Sequence, residues 1–294
     1  MAEVRKRLRE RLQEKEILLA PGAYDALTAT LCEQTGFEAV YLTGAGVSYS
    51  TLGKSDVGLI TMSEMAEKAA YICEAVSIPV IADGDTGYGN ALNVMRTVRE
   101  YERAGVAAIQ LEDQQFPKRC GHLANKALIS ADEMVAKIHA ALDARKDENF
   151  LIIARTDARA VEGMDAAIER ALRYEEAGAD VIFVEAPASE EELRHVARQL
   201  HKPLLANMVE GGKTPLIPAQ QLQEMGYSIV IYPNSVTRVI AKAAGEFYRE
   251  LKATGTTAGY ATRMLQFDEL NQVLGLAYIR QLEQKYDEKN YRKV

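Results

Sequence analysis

A short apolar run, a polar turn and an amphipathic helix recur eight times along this chain, and that alternation restricts its fold more than any other feature. The runs lie at residues 17–20, 39–43, 80–83, 107–112, 151–155, 181–185, 204–207 and 229–232. Runs this short, apolar at successive positions, suit buried parallel strands. Helical patterns follow at 25–34, 63–75, 90–104, 130–145, 165–177, 189–200, 218–225 and 236–253. Gly36, Gly105 and Gly178 stand where helices stop ahead of a strand. Ser130 with Glu133, and Ser189 with Glu192, fit capping boxes. Pro79 and Pro203 mark the points where strands begin. Strands alternating with helices require a parallel sheet. Eight such units fit a closed (β/α)8 barrel of the TIM type better than an open doubly wound sheet.

The barrel is therefore expected over residues 1–254, with a helical extension over 255–294. Residues 254–260 read as a flexible link. Residues 267–286 read as one or two short helices whose Leu270, Val273, Leu274, Leu276, Ile279 and Leu282 need a surface to pack on, in this barrel or a neighbour's. Of the 294 residues, 48% are hydrophobic and 26% charged, which is ample core for one barrel. A formal net charge of -7 argues against nucleic acid or an anionic membrane as a general partner, so an anionic substrate must be met by a few placed cations. No apolar stretch has the length of a membrane span. Three widely spaced cysteines, Cys32, Cys73 and Cys120, read as reduced thiols of a cytoplasmic protein.

In such a barrel the chemistry gathers at the C-terminal strand ends. There the chain places Thr43-Gly44-Ala45-Gly46, Asp83-Gly84-Asp85, Glu112-Asp113, Arg155-Thr156-Asp157, Glu185, Asn207 and Tyr232-Pro233-Asn234. Asp83, Asp85 and Glu112 are three carboxylates aimed at one mouth, costly together unless a cation neutralises them. Oxygen ligands without His or Cys beside them point to Mg²⁺, with Mn²⁺ the alternative ion. Turn-forming preference alone is the competing explanation for Asp83 and Asp85. Thr43 to Gly46 can turn backbone N–H groups toward an oxyanion. Arg155 offers a bidentate clamp for a carboxylate, or an ion pair with Glu185. Residues 113–129 form a long loop over the mouth, of the kind that acts as a lid. On it, Lys118, Arg119 and His122 would lower the pKa of Cys120. A surface loop with a spectator thiol is the plainer alternative. Cys120 and His122 have no second pair of ligands nearby for zinc. Gly212-Lys213-Thr214 lacks the leading glycine of a P-loop.

Taken together, Asp83-Gly-Asp85-Thr-Gly87-Tyr-Gly89, Glu112-Asp113, Lys118-Arg-Cys-Gly-His122, Ala154-Arg155-Thr-Asp157, Glu185-Ala and Asn207-Met-Val-Glu-Gly-Gly-Lys-Thr-Pro215 resemble the isocitrate lyase/phosphoenolpyruvate mutase superfamily. The Lys-Arg-Cys-Gly-His run resembles its carbon–carbon lyase branch of methylisocitrate lyase, dimethylmalate lyase and petal death protein. The resemblance implies Mg²⁺ on Asp83 and Asp85, with Asp56 and Glu112 in the water-mediated shell. It implies that Thr43, Gly44 and Ala45 cradle an α-keto acid, and that Arg155, Glu185, Asn207, Arg238 and Gly121 contact the substrate. It makes Cys120 the general acid on a mobile loop, with Lys118 and His122 beside it, and Tyr41 a candidate base. It implies a homotetramer with C-terminal helices exchanged between subunits. The implied reaction is cleavage of a small anionic 2-hydroxy di- or tricarboxylate to an α-keto acid and a second carboxylate. Gln110 stands where methylisocitrate lyases tend to have histidine, and Val209-Glu-Gly-Gly212 replaces their Thr-Glu-Phe-Gly. These departures disfavour the tricarboxylate. The chain also resembles carboxyphosphonoenolpyruvate phosphonomutase; that activity, an oxaloacetate decarboxylase and a binding barrel without catalysis are the alternatives.

Overall fold

A computed structural model of the chain describes residues 1–121 and 125–291. Eight strands form one parallel sheet: β1 (Leu18–Ala23), β2 (Val40–Leu42), β3 (Val80–Asp83), β4 (Ala108–Glu112), β5 (Leu151–Thr156), β6 (Val181–Val184), β7 (Leu205–Asn207) and β8 (Ile229–Tyr232). They run in the order β6-β5-β4-β3-β2-β1-β8-β7, and a parallel bridge from Ile182 to Leu204 joins the two ends. The expected barrel is the observed one.

The helices are α1 (Ala2–Arg11), α2 (Ala26–Gln34), α3 (Gly44–Val47), α4 (Met62–Ala75), α5 (Ala91–Ala104), α6 (Ala131–Ala144), α7 (Met164–Glu176), α8 (Glu190–Gln199), α9 (Ala219–Met225), α10 (Ser235–Thr254), α11 (Phe267–Val273) and α12 (Leu276–Lys285). Local chemistry sets their ends. The Asn90 side chain accepts from the N–H groups of Leu92 and Asn93, and Gly105 stops α5 at φ 101, a left-handed turn that glycine adopts freely. Ser189 caps α8 as expected, but only half of its box forms: the Glu192 carboxylate takes the Ala188 N–H and pairs with Arg159 instead.

Strand side chains alternate between two apolar layers. Val40, Leu42, Ile109, Leu111, Ile152 and Ile182 face the helices. Tyr41, Ile81, Ala108, Ile153, Val181, Phe183, Leu205, Ile229 and Ile231 fill the barrel. Leu8 and Leu12, the latter just past α1, join the inner layer and stopper its floor. Arg5 fastens α1 there through the Val106 carbonyl at 3.0 Å and an ion pair to Asp147 at 3.3 Å.

The chain divides into two compact units, Met1–Thr237 and Arg238–Val294. In the second unit the expected flexible link is fixed. Tyr260 is buried, packs edge-on to Phe247 with ring centroids 5.3 Å apart and donates to the Ala243 carbonyl. Arg263 covers that ring and pairs with Glu246 at 2.7 Å. Helices α11 and α12 bury none of their residues, and Phe267 is 82% exposed.

Candidate active site

Following the inward-facing positions upward shows how the barrel makes a site. Ile81 is followed two residues on by Asp83, Ala108 by Gln110 and Glu112, Ile153 by Arg155, Phe183 by Glu185, and Leu205 by Asn207. The same strand parity that packs the lower barrel delivers charge to its mouth. Tyr41, Asp83, Glu112, Arg155, Glu185 and Asn207 line one cavity there. Thr43, Ala45, Asp56, Lys118, Cys120 and Gly121 complete it from the loops. The cavity holds about 40 Å³, room for a few waters and not for a substituted malate, so a substrate of that size requires the covering loop to shift.

Arg155 is held from behind. Its Nε and Nη2 donate to the two oxygens of Asp157 at 2.9 and 3.0 Å. Glu112 and Glu185 stand 3.3 Å from its remaining edges, and the guanidinium lies over the Phe183 ring. The expected pair with Glu185 is therefore formed alongside the clamp geometry. Burial opposes the Arg155 charge, but Asp157, Glu112 and Glu185 outweigh it and hold the guanidinium more firmly protonated than usual. Burial likewise opposes the Asp157 charge, yet Arg155 and Lys126 hold that carboxyl down at about 2.

The second cation comes from the loop. Lys118 Nζ sits 2.6 Å from Asp56 and 2.5 Å from Asp85, almost wholly buried. Burial opposes its charge, but Asp85, Asp56, Asp83 and Glu112 together raise its pKa well above the ordinary value. Burial drives the Asp85 carboxyl up to about 7 against the pull of Lys118. Glu112 is also driven well up by burial, with Arg155 opposing. Lys118 thus compensates carboxylates, a role that the sequence did not signal. His122 lies outside the described residues. Arg238 belongs to the second unit.

The oxygen-only donor set suits a hard divalent cation. Glu112 Oε1 is buried and accepts no hydrogen bond from the described residues, so it is placed to serve as a ligand. Gly44 lets the chain pass against Asp83, since a Cβ at that position would lie 2.7 Å from Asp83 Oδ2. Asp85 holds φ 47, a left-handed conformation costly for a residue with a side chain, as strained residues at functional sites often are. With Lys118 between Asp56 and Asp85, no three His, Cys, Asp or Glu side chains among the described residues are gathered closely enough to grip one ion.

Tyr41 donates to Gln110 Oε1 at 2.9 Å, and Gln110 Nε2 reaches Asp83 Oδ1 at 3.4 Å. Burial raises the phenol well above its ordinary value. Tyr41 thus directs its hydroxyl proton at Gln110 in this structure, an arrangement that suits a hydrogen-bonding role. Thr43 caps α3 by accepting from Gly46 and donates to Asn234 at 3.1 Å. Gly44 and Ala45 then occupy the first helical positions, whose N–H groups have no acceptor within a helix.

The loop bearing Cys120 is anchored at its base. Gln114 and Leu128 pair antiparallel, Gln115 donates to the Ala127 carbonyl at 2.7 Å, and Ile129 donates to the Asp113 carbonyl at 2.9 Å. Cys120 hangs its N–H on the Asp56 carbonyl. Gly121 packs so tightly that a Cβ would meet Arg155 Nη2 at 2.5 Å and Glu185 at 2.7 Å. An apolar wall of Phe183, Val209, Ile231 and Pro233 also lines the cavity. Pro233 stands at the strand end where the sequence put it; Phe183 and Ile231 follow strand parity but were not singled out, and Val209 had no local signal.

The phosphoenolpyruvate phosphomutase family model matches residues 8–252. The chain is 52% identical over 280 residues to 2,3-dimethylmalate lyase of Eubacterium barkeri, covering 95% of this chain and 97% of that protein. It is 52% identical over 268 residues to 2-methylisocitrate lyase of Aeropyrum pernix, covering 91% and 86%. It is 42% identical over 289 residues to the chloroplastic carboxyvinyl-carboxyphosphonate phosphorylmutase of Arabidopsis thaliana, covering 97% and 85%. Among solved structures, 2,3-dimethylmalate lyase superposes with a TM-score of 0.92 at 38% identity, covering 97% of this chain and 95% of that one. An oxaloacetate acetylhydrolase bound to 3,3-difluorooxalacetate gives 0.91 at 35%, covering 97% of each. A phosphonopyruvate hydrolase bound to oxalate and Mg²⁺ gives 0.87 at 32%, covering 96% and 98%.

Proposed function

Since the chain belongs to the phosphoenolpyruvate mutase/isocitrate lyase superfamily and is a carbon–carbon lyase, we propose that its mouth cleaves a 2-alkylmalate-like 2-hydroxy dicarboxylate to an α-keto acid such as pyruvate and a second carboxylate. The observation that carries this reading is the single cavity in which Arg155, four carboxylates and a loop cysteine meet an apolar wall. Arg155, preset by Asp157, takes a substrate carboxylate, and Glu185 and Asn207 take its hydroxyl and far end. Thr43, Gly44 and Ala45 receive the keto-acid half. Phe183, Val209 and Ile231 face the C3 substituent, which favours alkyl over a further carboxylate. Tyr41 steadies the 2-hydroxyl. Cys120 gives its proton to the carbanion once the loop excludes water. Lys118 and Gly121 place that loop. Asp83, Asp85, Asp56 and Glu112 would hold Mg²⁺, which would supply Lewis-acid stabilisation of the negative charge that develops on the substrate.

The same reading includes a cytoplasmic homotetramer in which residues 255–294 pack on a neighbour, as the exposed α11 and α12 suggest. Among the described residues, no helix is long and apolar enough to cross a membrane. A pyruvate-release assay over substituted malates tests the function. Turnover is expected with Mg²⁺, abolished by chelator and reduced about 10²- to 10⁴-fold by Cys120→Ser. Pyruvate from oxaloacetate alone, undiminished by Cys120→Ser, would overturn it in favour of a decarboxylase. The likeness to a phosphorylmutase supports a second reading, P–C bond formation, for which the discriminating product is a phosphonate detected by ³¹P NMR.

A further inference from the structure

One buried cation has no part in the proposed chemistry. Lys126 lies on the returning arm of the loop, just after Asn125 turns the chain at φ 61. Its side chain is 1% exposed. Its Nζ donates to the Gly121 carbonyl at 2.5 Å and pairs with Asp157 Oδ1 at 2.6 Å. Asp157 is the carboxylate that sets Arg155. Asp157 is itself fixed, since its backbone N–H donates to Asp113, which also receives Thr156 and Tyr174. One carboxylate thus carries an arginine of the barrel wall and a lysine of the loop. That lysine grips the residue beside Cys120, and Gly121 lies against Arg155 and Glu185 with no space for a Cβ. Shifting the Cys120–Gly121 arm away from Arg155 therefore means breaking a desolvated charge pair and its hydrogen bond, an interaction strong when made and costly when halved.

We propose that Lys126 is a positioning residue: it catches the Cys120–Gly121 end of the loop on the Asp157–Arg155 pair, so that thiol and substrate clamp are registered to each other. Lys126 does not touch the cavity and moves no proton. The inference rests on the lyase reading only for its kinetic readout. Its first test needs no substrate.

Lys126→Met keeps the aliphatic stem and removes the ammonium. Iodoacetamide labelling of the full chain, followed peptide by peptide by mass spectrometry, reports the exposure of each thiol. Cys120 is expected to label about tenfold faster in Lys126→Met, with Cys32 and Cys73 unchanged, because a local opening becomes easier without global unfolding. On a substituted malate kcat is expected to fall about tenfold with KM within about twofold, the pattern for a group that registers the acid without binding the ground state. Should Lys126→Met fail to fold, Lys126→Gln retains a donor for the Gly121 carbonyl and is expected to raise Cys120 labelling about threefold. Cys120 labelling unchanged in the folded variant overturns the proposal. So does an equal rise at buried Cys32, which marks general loosening. Faster Cys120 labelling in the variant, with no malate turned over by the unsubstituted protein, upholds the catch while removing the lyase assignment.

Discussion

Two buried cations stand at the mouth of this barrel, and they are held in opposite ways. Arg155 comes from a strand, and its partners Asp157, Glu112 and Glu185 come from the same strand ends or just beyond them. Lys118 comes from a loop, and its partners Asp56 and Asp85 belong to the set proposed to hold a divalent ion. The first cation is part of the frame. The second is a counter-charge that another cation can relieve. Removing a partner from a buried pair is costly because the remaining charge is stranded, so the difference shows in what each variant needs for rescue.

Arg155→Met should have the largest effect, a loss of about 3–5 kcal/mol in denaturant unfolding, with Mg²⁺ restoring little of it because Asp157 and Glu185, which lose their arginine, lie outside the set proposed to hold the ion. Equal rescue by Mg²⁺ here and at Lys118 would erase the distinction. Lys118→Met should cost about 2–3 kcal/mol without divalent ion and recover most of it with Mg²⁺, through binding to the folded state. The acid limb sharpens the comparison further. Asp157 has its carboxyl near 2, below its ordinary value of 3.8. Its contribution to stability is therefore complete above about pH 4 and lost as pH falls toward 2. Asp157→Asn should flatten that part of the stability–pH curve, measured by urea midpoints, and leave the curve above pH 5 the same shape. The smallest effect serves as control. Thr61→Ala removes the cap of α4, where Thr61 and Glu64 form a reciprocal box, and should cost about 1 kcal/mol with no dependence on Mg²⁺.

The frame was more legible in the sequence than the loop, for a physical reason. Strands announce themselves by apolar runs and glycine stops, and parity then carries Asp83, Glu112, Arg155 and Glu185 inward without further information. Residues 113–129 obey no such period. The sequence offered Lys118 only as a neighbour of Cys120 two residues away, and nothing local signalled that the folded loop also sets it against Asp56 and Asp85. Lys126 and Asp157 are 31 positions apart, and neither residue has a local pattern that reveals the pair. Tyr41 came forward only through the family resemblance, and its burial and its bond to Gln110 had no local signal. Tyr260 escaped notice because a run of Gly, Thr and Ala around it reads as a link, and only its packing on Phe247 shows otherwise.

The floor of the barrel, stoppered by Leu8 and Leu12, bears on the handedness of the product. With that end closed to water, a carbanion formed at the mouth meets its proton from the loop side alone. Cleavage of a 3-substituted malate in heavy water is then expected to give an acid whose new deuterium occupies one stereochemical position.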